Sequence, residues 1–311
     1  MRPEPSDLVV RARAGDRVAV AKLLSIVEAG GERAREAMAL LHPHTGRAWS
    51  VGVTGAPGAG KSTLTDKLVA RARVDGLLVG VLAVDPSSPF SGGAILGDRV
   101  RMQDHSTDPG VFIRSMASRG HLGGLALSTP QALRVLDASG KACIVVETVG
   151  VGQVEIDIAR QADTTVVVVT PGWGDAVQAA KAGLLEIADV FVVNKADRPG
   201  AAEAVSDLAG MLELSRDVAW RPPIVRTVAT TGEGVDELWD AIAAHRAHLA
   251  TDGRLEARRV ERVREELRTI VTERLRARAS ALCEGEAFDD LVEAVVRRAR
   301  DPYDAADAIL G

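Results

Sequence analysis

Lysine is scarce in this chain of 311 residues, with six against 32 arginines. Cysteine is scarcer still: Cys143 and Cys283 lack metal-ligand spacing and are too few for a disulfide framework, which leaves Cys143, in a strand-like run, as a small core residue. No apolar stretch approaches the roughly 18 residues of a membrane span. The opening MRPEPSDLVVRARAGD has no signal-peptide pattern, so a cytoplasmic protein is expected. With no long block of Lys and Arg and a net charge of −5, a broad nucleic-acid surface is not expected. The six histidines offer only the sparse pair His42 and His44 as a metal-site candidate. Because lysine is rare, the positions that keep it merit inspection, and Lys61, Lys181 and Lys195 all fall beside the motifs below.

What is present is an ordinary globular composition, 46 % apolar and 26 % charged, long enough for one large α/β domain with additions or for two domains. Residues 1–47 read as helices before the core: Leu8, Val9, Val18, Leu23, Leu24 and Val27 recur at helical spacing, Gly30-Gly31 is a break, and a second helix runs from Glu32 to Leu41. A helical cap packed on the main sheet is the expectation there. From 48 to 250 short apolar runs alternate with helical ones: VGVTG, LLVGVLAVD, CIVVET, TTVVVVTP, VFVVNKAD and PIVRTVA. Strands this uniformly apolar are buried on both faces, which predicts a doubly wound, mainly parallel α/β sheet whose ligands sit at the carboxyl ends of the strands.

The stretch that organises the rest is Gly55 to Thr63, GAPGAGKST, between a buried strand and a helix. It reads as a P-loop. Gly55, Gly58 and Gly60 let the backbone turn its N–H groups inward, with Ala56, Pro57 and Ala59 between them, and the following helix adds partial positive charge. Lys61 is placed to reach the β and γ phosphates, Ser62 to put its hydroxyl on Mg²⁺, and Thr63 to donate to the α-phosphate.

Further candidates lie at later strand ends. Asp85, one sheet position from the P-loop, and Asp98 are candidates for the Mg²⁺ shell; the alternatives are a turn-forming Asp-Pro and a solvated Asp paired to Arg99 or Arg101. The third core strand ends at Glu147, which in a P-loop protein contacts the Mg²⁺ shell and otherwise caps the next helix; Gly150 can offer its N–H to the γ-phosphate. Gln153 is a candidate for orienting water, two places beyond the usual position. Lys181 either faces the nucleotide or is an exposed helix lysine, and Trp173, flanked by glycines, is a possible partner contact. Asn194-Lys195-Ala196-Asp197 is NKxD, a guanine-reading pattern: the Asp197 carboxylate accepts from N1–H and the exocyclic amine, the Lys195 stem covers the base, and Asn194 ties this loop to the P-loop. Val228-Ala229-Thr230 lies where a backbone N–H reads guanine O6.

Residues 251–311 read as a helical arm. Leu255, Val263, Leu267, Ile270, Val271 and Leu275 form an apolar stripe on a long Arg- and Glu-rich helix. That stripe packs on its own domain or on a second subunit, and dimerisation is the preferred reading.

Taken in order, GAPGAGKST, VDPSSPFSGGAILGDRVRM, ETVGVGQ, PGWGDAVQAAKAG and NKAD resemble the methylmalonyl-CoA mutase-associated GTPases, from about Trp49 to Trp239. The resemblance implies a homodimeric G-protein chaperone for an adenosylcobalamin-dependent acyl-CoA mutase, gating cofactor delivery and protecting or reactivating the mutase. It also implies that Asp85, Asp98 and Glu147 surround Mg²⁺ and that Gly172 to Lys181 is a switch whose lysine approaches the nucleotide. Val228 departs from the serine expected there, but a backbone contact to O6 survives the change. A kinase energising lysine, arginine and ornithine import is the first rival; NKAD and the lack of a membrane element argue against it. A nickel metallochaperone GTPase is the second, weakened by the sparse histidines.

Overall fold

The computed structural model describes residues 3–85, 105, 107–117, 124–148, 160–172, 186–214 and 219–310, without the side chains of 85, 117, 124–127 and 214. It divides into two compact units, Met1–Val260 and Glu261–Gly311.

The first unit is built on seven parallel strands in the order β3-β2-β4-β1-β5-β6-β7. These are β1 (Trp49–Gly55), β2 (Val79–Asp85), β3 (Val111–Ala117), β4 (Cys143–Thr148), β5 (Thr164–Val169), β6 (Val190–Asn194) and β7 (Ile224–Thr227). Every residue of β1, β4, β5 and β6 is buried, so these strands carry near-continuous apolar runs. Successive side chains still go to opposite faces. Val166 and Val168 pack with helices α4 (Lys61–Val74) and α7 (Val235–Leu249), whereas Val167 and Val169 pack with α6 (Ala201–Leu214).

The N-terminal helices α1 (Pro5–Arg13), α2 (Arg17–Ala29) and α3 (Gly31–Leu41) share a core with α5 (Gly124–Ala138) and with Leu82, Val84, Phe112, Ile144 and Val146 of the sheet. They cap one face, as expected, but there are three helices and not two. The uncounted break is Ala14-Gly15-Asp16: Asp16 leaves the helix and accepts from the Val18 and Ala19 N–H groups at 2.8 and 3.1 Å, capping α2. Val18 is consequently in a first turn and 57 % exposed, not on the apolar stripe.

Strand β3 was not expected from the sequence. It is one of the two edges of the sheet, and Arg114 interrupts its apolar run by pairing with Glu28 at 2.6 Å. Counting it makes CIVVET the fourth strand in sequence, and the topology places this strand between β1 and β2. Asp85 therefore ends a strand two positions from the P-loop strand, not one, and Glu147 occupies the adjacent position. Among the described residues no helix is long and apolar enough to cross a membrane.

The helix α8 (Arg254–Leu282) begins in the first unit and continues into the second, which also contains α9 (Glu286–Val296) and α10 (Pro302–Leu310). Asp301 caps α10 through the Tyr303 and Asp304 N–H groups at 2.9 and 3.2 Å. Val263, Leu267, Val271 and Leu275, four residues apart along α8, are 47 %, 56 %, 54 % and 60 % exposed.

Candidate functional site

The carboxyl ends of β1, β4, β6 and β7 bring the sequence candidates together. Strand β1 delivers the glycine-rich loop and α4 carries it away, with Gly60 at φ +89° before the first helical residue and Leu64 N–H closing the first helical bond to Gly60 O at 2.9 Å. The N–H groups of the first turn of α4 have no acceptor within the helix by its geometry, so they form a positive, donor-lined end. Gly55 and Gly60 are required by their neighbours as well as by their positive φ. A Cβ on Gly55 would collide with the Val168 carbonyl, and one on Gly60 with the Asn194 amide nitrogen.

Lys61 is buried, and its ammonium donates to Gly55 O at 2.6 Å and Ala56 O at 3.0 Å. Ser62 Oγ donates to Glu147 Oε1 at 2.5 Å, with Glu147 only 2 % exposed. A hydroxyl and a carboxylate held together beside a phosphate loop are hard oxygen donors. That set fits Mg²⁺, which keeps much of its shell from water and phosphate. Among the described residues no cluster of three or more His, Cys, Asp or Glu could hold a metal by itself. Behind this pair, Thr148 Oγ1 donates to Thr54 Oγ1 at 3.0 Å and joins the two strand ends.

Asn194 is the junction of the site. It is 2 % exposed; its Nδ2 donates to Ala59 O at 2.7 Å, and its Oδ1 accepts from Thr227 Oγ1 at 3.0 Å and from Ala229 N–H at 3.1 Å. One amide thus ties the P-loop, the end of β7 and the loop after it, the link to the P-loop being the one expected from NKxD. Lys195, at φ +58°, reaches across the P-loop to Gly58 O at 2.7 Å, while Asp197 is exposed on the turn that follows. In the last loop Val228 N–H is taken by Glu233 O at 3.0 Å and Ala229 N–H by Asn194, and Thr230 is exposed beside them.

Sequence reasoning missed Thr227, which holds Asn194 from the neighbouring strand. Its signal is register, Asn194 opposite Thr227, which a linear pattern does not display. Asp85 is placed as the last residue of β2, with its side chain outside the description. Asp98, Gly150, Gln153, Trp173 and Lys181 lie outside the described residues.

Comparison with known proteins gives concordant matches. The family model described as "Methylmalonyl Co-A mutase-associated GTPase MeaB" matches residues 20–284. A protein of Pyrococcus abyssi, provisionally named a GTPase, is 54 % identical over 308 residues, covering 98 % of this chain and 95 % of that protein. The GTPase ArgK of Escherichia coli is 36 % identical over 273 residues, covering 85 % and 82 %. The mouse protein named "Methylmalonic aciduria type A homolog, mitochondrial" is 37 % identical over 269 residues, covering 79 % of this chain and 64 % of that one. A crystal structure titled as an LAO/AO transport system kinase superposes with a TM-score of 0.73 at 29 % identity, covering 98 % of this chain and 96 % of that one.

Proposed function

This chain belongs to the methylmalonyl-CoA mutase-associated GTPase family, and from that premise we propose that its GTP hydrolysis serves an adenosylcobalamin-dependent acyl-CoA mutase, methylmalonyl-CoA mutase being the first candidate. In this reading the protein gates cofactor loading and protects or reactivates the mutase. The observation that carries it is the family match over residues 20–284, supported by the name of the mouse relative.

The chemistry assigned to the site is mainly electrostatic. The P-loop amides and the start of α4 bind the phosphates, and Lys61, buried at the loop's first carbonyls, sets a positive charge beside them. Ser62 and Glu147 would hold Mg²⁺, which when bound neutralises charge on the β and γ phosphate oxygens. Asp85 and Asp98 are assigned to its outer shell, Gly150 to the γ-phosphate, and Lys181 to the switch that follows Gly172. Thr63 donates to the α-phosphate. Asp197 selects guanine by accepting two hydrogen bonds, Lys195 covers the base, and a backbone amide of the Val228–Thr230 loop donates to O6. Among the described residues no arginine finger or general base stands at the site, and slow hydrolysis alone with faster hydrolysis in the presence of the mutase is the expectation.

The same reading places the protein in the cytoplasm as a homodimer. Its second unit supplies the contact: an exposed row at Val263, Leu267, Val271 and Leu275 suits a second copy of the same helix. Light scattering on Leu267→Glu/Leu275→Glu is expected to give monomers; dimers in that variant would remove α8 as the interface.

The chaperone role is tested by following adenosylcobalamin loading onto apo-mutase with this protein and GTP, GDP or neither. Loading is expected to depend on which nucleotide is present. Identical loading curves in all three conditions would contradict the gating role.

A further inference from the structure

The amino ends of the strands, opposite the nucleotide site, carry a charged cluster that the chemistry above does not use. Arg258 and Arg259 are consecutive residues in the first turns of α8, about 100° apart around its axis, so their side chains diverge. Arg258 donates to both oxygens of Asp189, at 2.9 and 2.7 Å. Arg259 donates to both oxygens of Asp163, at 3.3 and 3.1 Å, and to Gly46 O and Ala48 O at 2.8 and 3.1 Å.

Each carboxylate is built into the start of a strand. Asp163 also accepts from the N–H and Oγ of Ser50, the second residue of β1, both at 3.1 Å. Asp189, one residue before β6, accepts from the Thr165 N–H at 2.7 Å and faces His245 Nε2 at 3.3 Å. His245 is 1 % exposed, and its Nδ1 meets Thr164 Oγ1 at 2.9 Å. Burial pushes that imidazole down to about 4, so it is neutral near pH 7, with Nδ1 accepting from Thr164 Oγ1 and Nε2 facing the Asp189 carboxylate.

The far end of β1 is the P-loop at Gly55, and the far end of β6 is Asn194, which binds Ala59 O across the gap. Strands β1 and β6, separated in the sheet by β5, are thus cross-linked at both ends: by Asn194 at the site and by the arginine pair at the root of α8. We propose that Arg258 and Arg259 are positioning residues for the nucleotide site, fixing the axial offset of β1 against β6 so that nucleotide binding and the seating of the first turns of α8 are coupled. The inference rests on the assignment of the P-loop and NKxD as the guanine-nucleotide site. Coupling of this kind is reciprocal: nucleotide must tighten the root of α8, and a loosened root must weaken nucleotide.

The test uses the full chain and fluorescent GDP. Arg258→Met and Arg259→Met are each expected to release GDP about five- to tenfold faster while keeping the preference for GDP over ADP. Lower thermal stability with an unchanged release rate would mark a purely structural role and overturn the proposal. On the unmodified protein, hydrogen exchange is expected to show GDP protecting residues 254–260 along with 55–63 and 194–197. Protection of the loops without residues 254–260 would overturn the proposal whether or not the variants fold. Failure of the unmodified protein to bind GDP would overturn the site assignment beneath it.

Discussion

Replacing Asn194 by Ala removes three hydrogen bonds from a residue that is 2 % exposed and leaves the Ala59 carbonyl and the Ala229 N–H without their partner. At about 1 kcal/mol net for each bond the cost is about 3 kcal/mol. For a unit of this size that corresponds to a fall of roughly 6–12 °C in melting temperature if it all falls on stability. Divided evenly between stability and the arrangement of the loops, it lowers GDP affinity by about tenfold, at 1.4 kcal/mol per decade. The assay is a fluorescent-GDP titration paired with thermal melts in the presence and absence of GDP. A second variant sharpens it: Gly60→Ala places a Cβ against Asn194 Nδ2, a clash that Asn194→Ala relieves, while the strain of φ +89° persists. The double variant is therefore expected to lose less than the sum of the singles. Wild-type GDP affinity in Asn194→Ala, or strict additivity in the pair, would refute the claim that this amide holds the P-loop in its working shape.

Asp197→Asn is expected to weaken GTP binding by about a hundredfold and to favour xanthosine triphosphate, whose C2 oxygen accepts from the new amide; nucleotide competition measures both. His245, shifted from 6.5 to about 4 by burial and partly held up by Asp189, binds its proton less readily folded than unfolded. Its contribution to stability is therefore complete above about pH 6.5 and is lost as pH falls towards 4, about 3 kcal/mol in all; His245→Gln is expected to flatten denaturant-measured stability over that window. The buried Cys143 thiol is pushed up to about 12 and Cys283 is exposed, so a thiol reagent should titrate Cys283 alone in the native protein and both thiols after denaturation.

The sheet's interior was legible because β1, β4, β5 and β6 are buried on both faces and therefore apolar throughout. Strand β3 was not, since an edge strand with Arg114 paired to a helix carries no such run. The break at Gly15 was missed for a related reason: α1 and α2 feed one core, so their apolar residues kept a continuous period across the turn. At the site, GAPGAGKST and NKAD are legible because each is a contiguous run whose turn and charge are local to it. Thr227, Asp163 and Asp189 did not, since their partners come from sheet register and from the distant root of α8. The order of β2 and β4 also lies outside any linear reading, and it exchanges the distances of Asp85 and Glu147 from the P-loop strand.

GTP hydrolysis by the purified protein with and without methylmalonyl-CoA mutase from the same organism, with Lys61→Ala as the blank, tests the proposed partnership most directly. Slow hydrolysis alone, a clear rise when the mutase is added, and no activity in the blank are expected. An unchanged rate in the presence of mutase, with GTP still bound in preference to ATP, would contradict the assignment of that mutase as the partner.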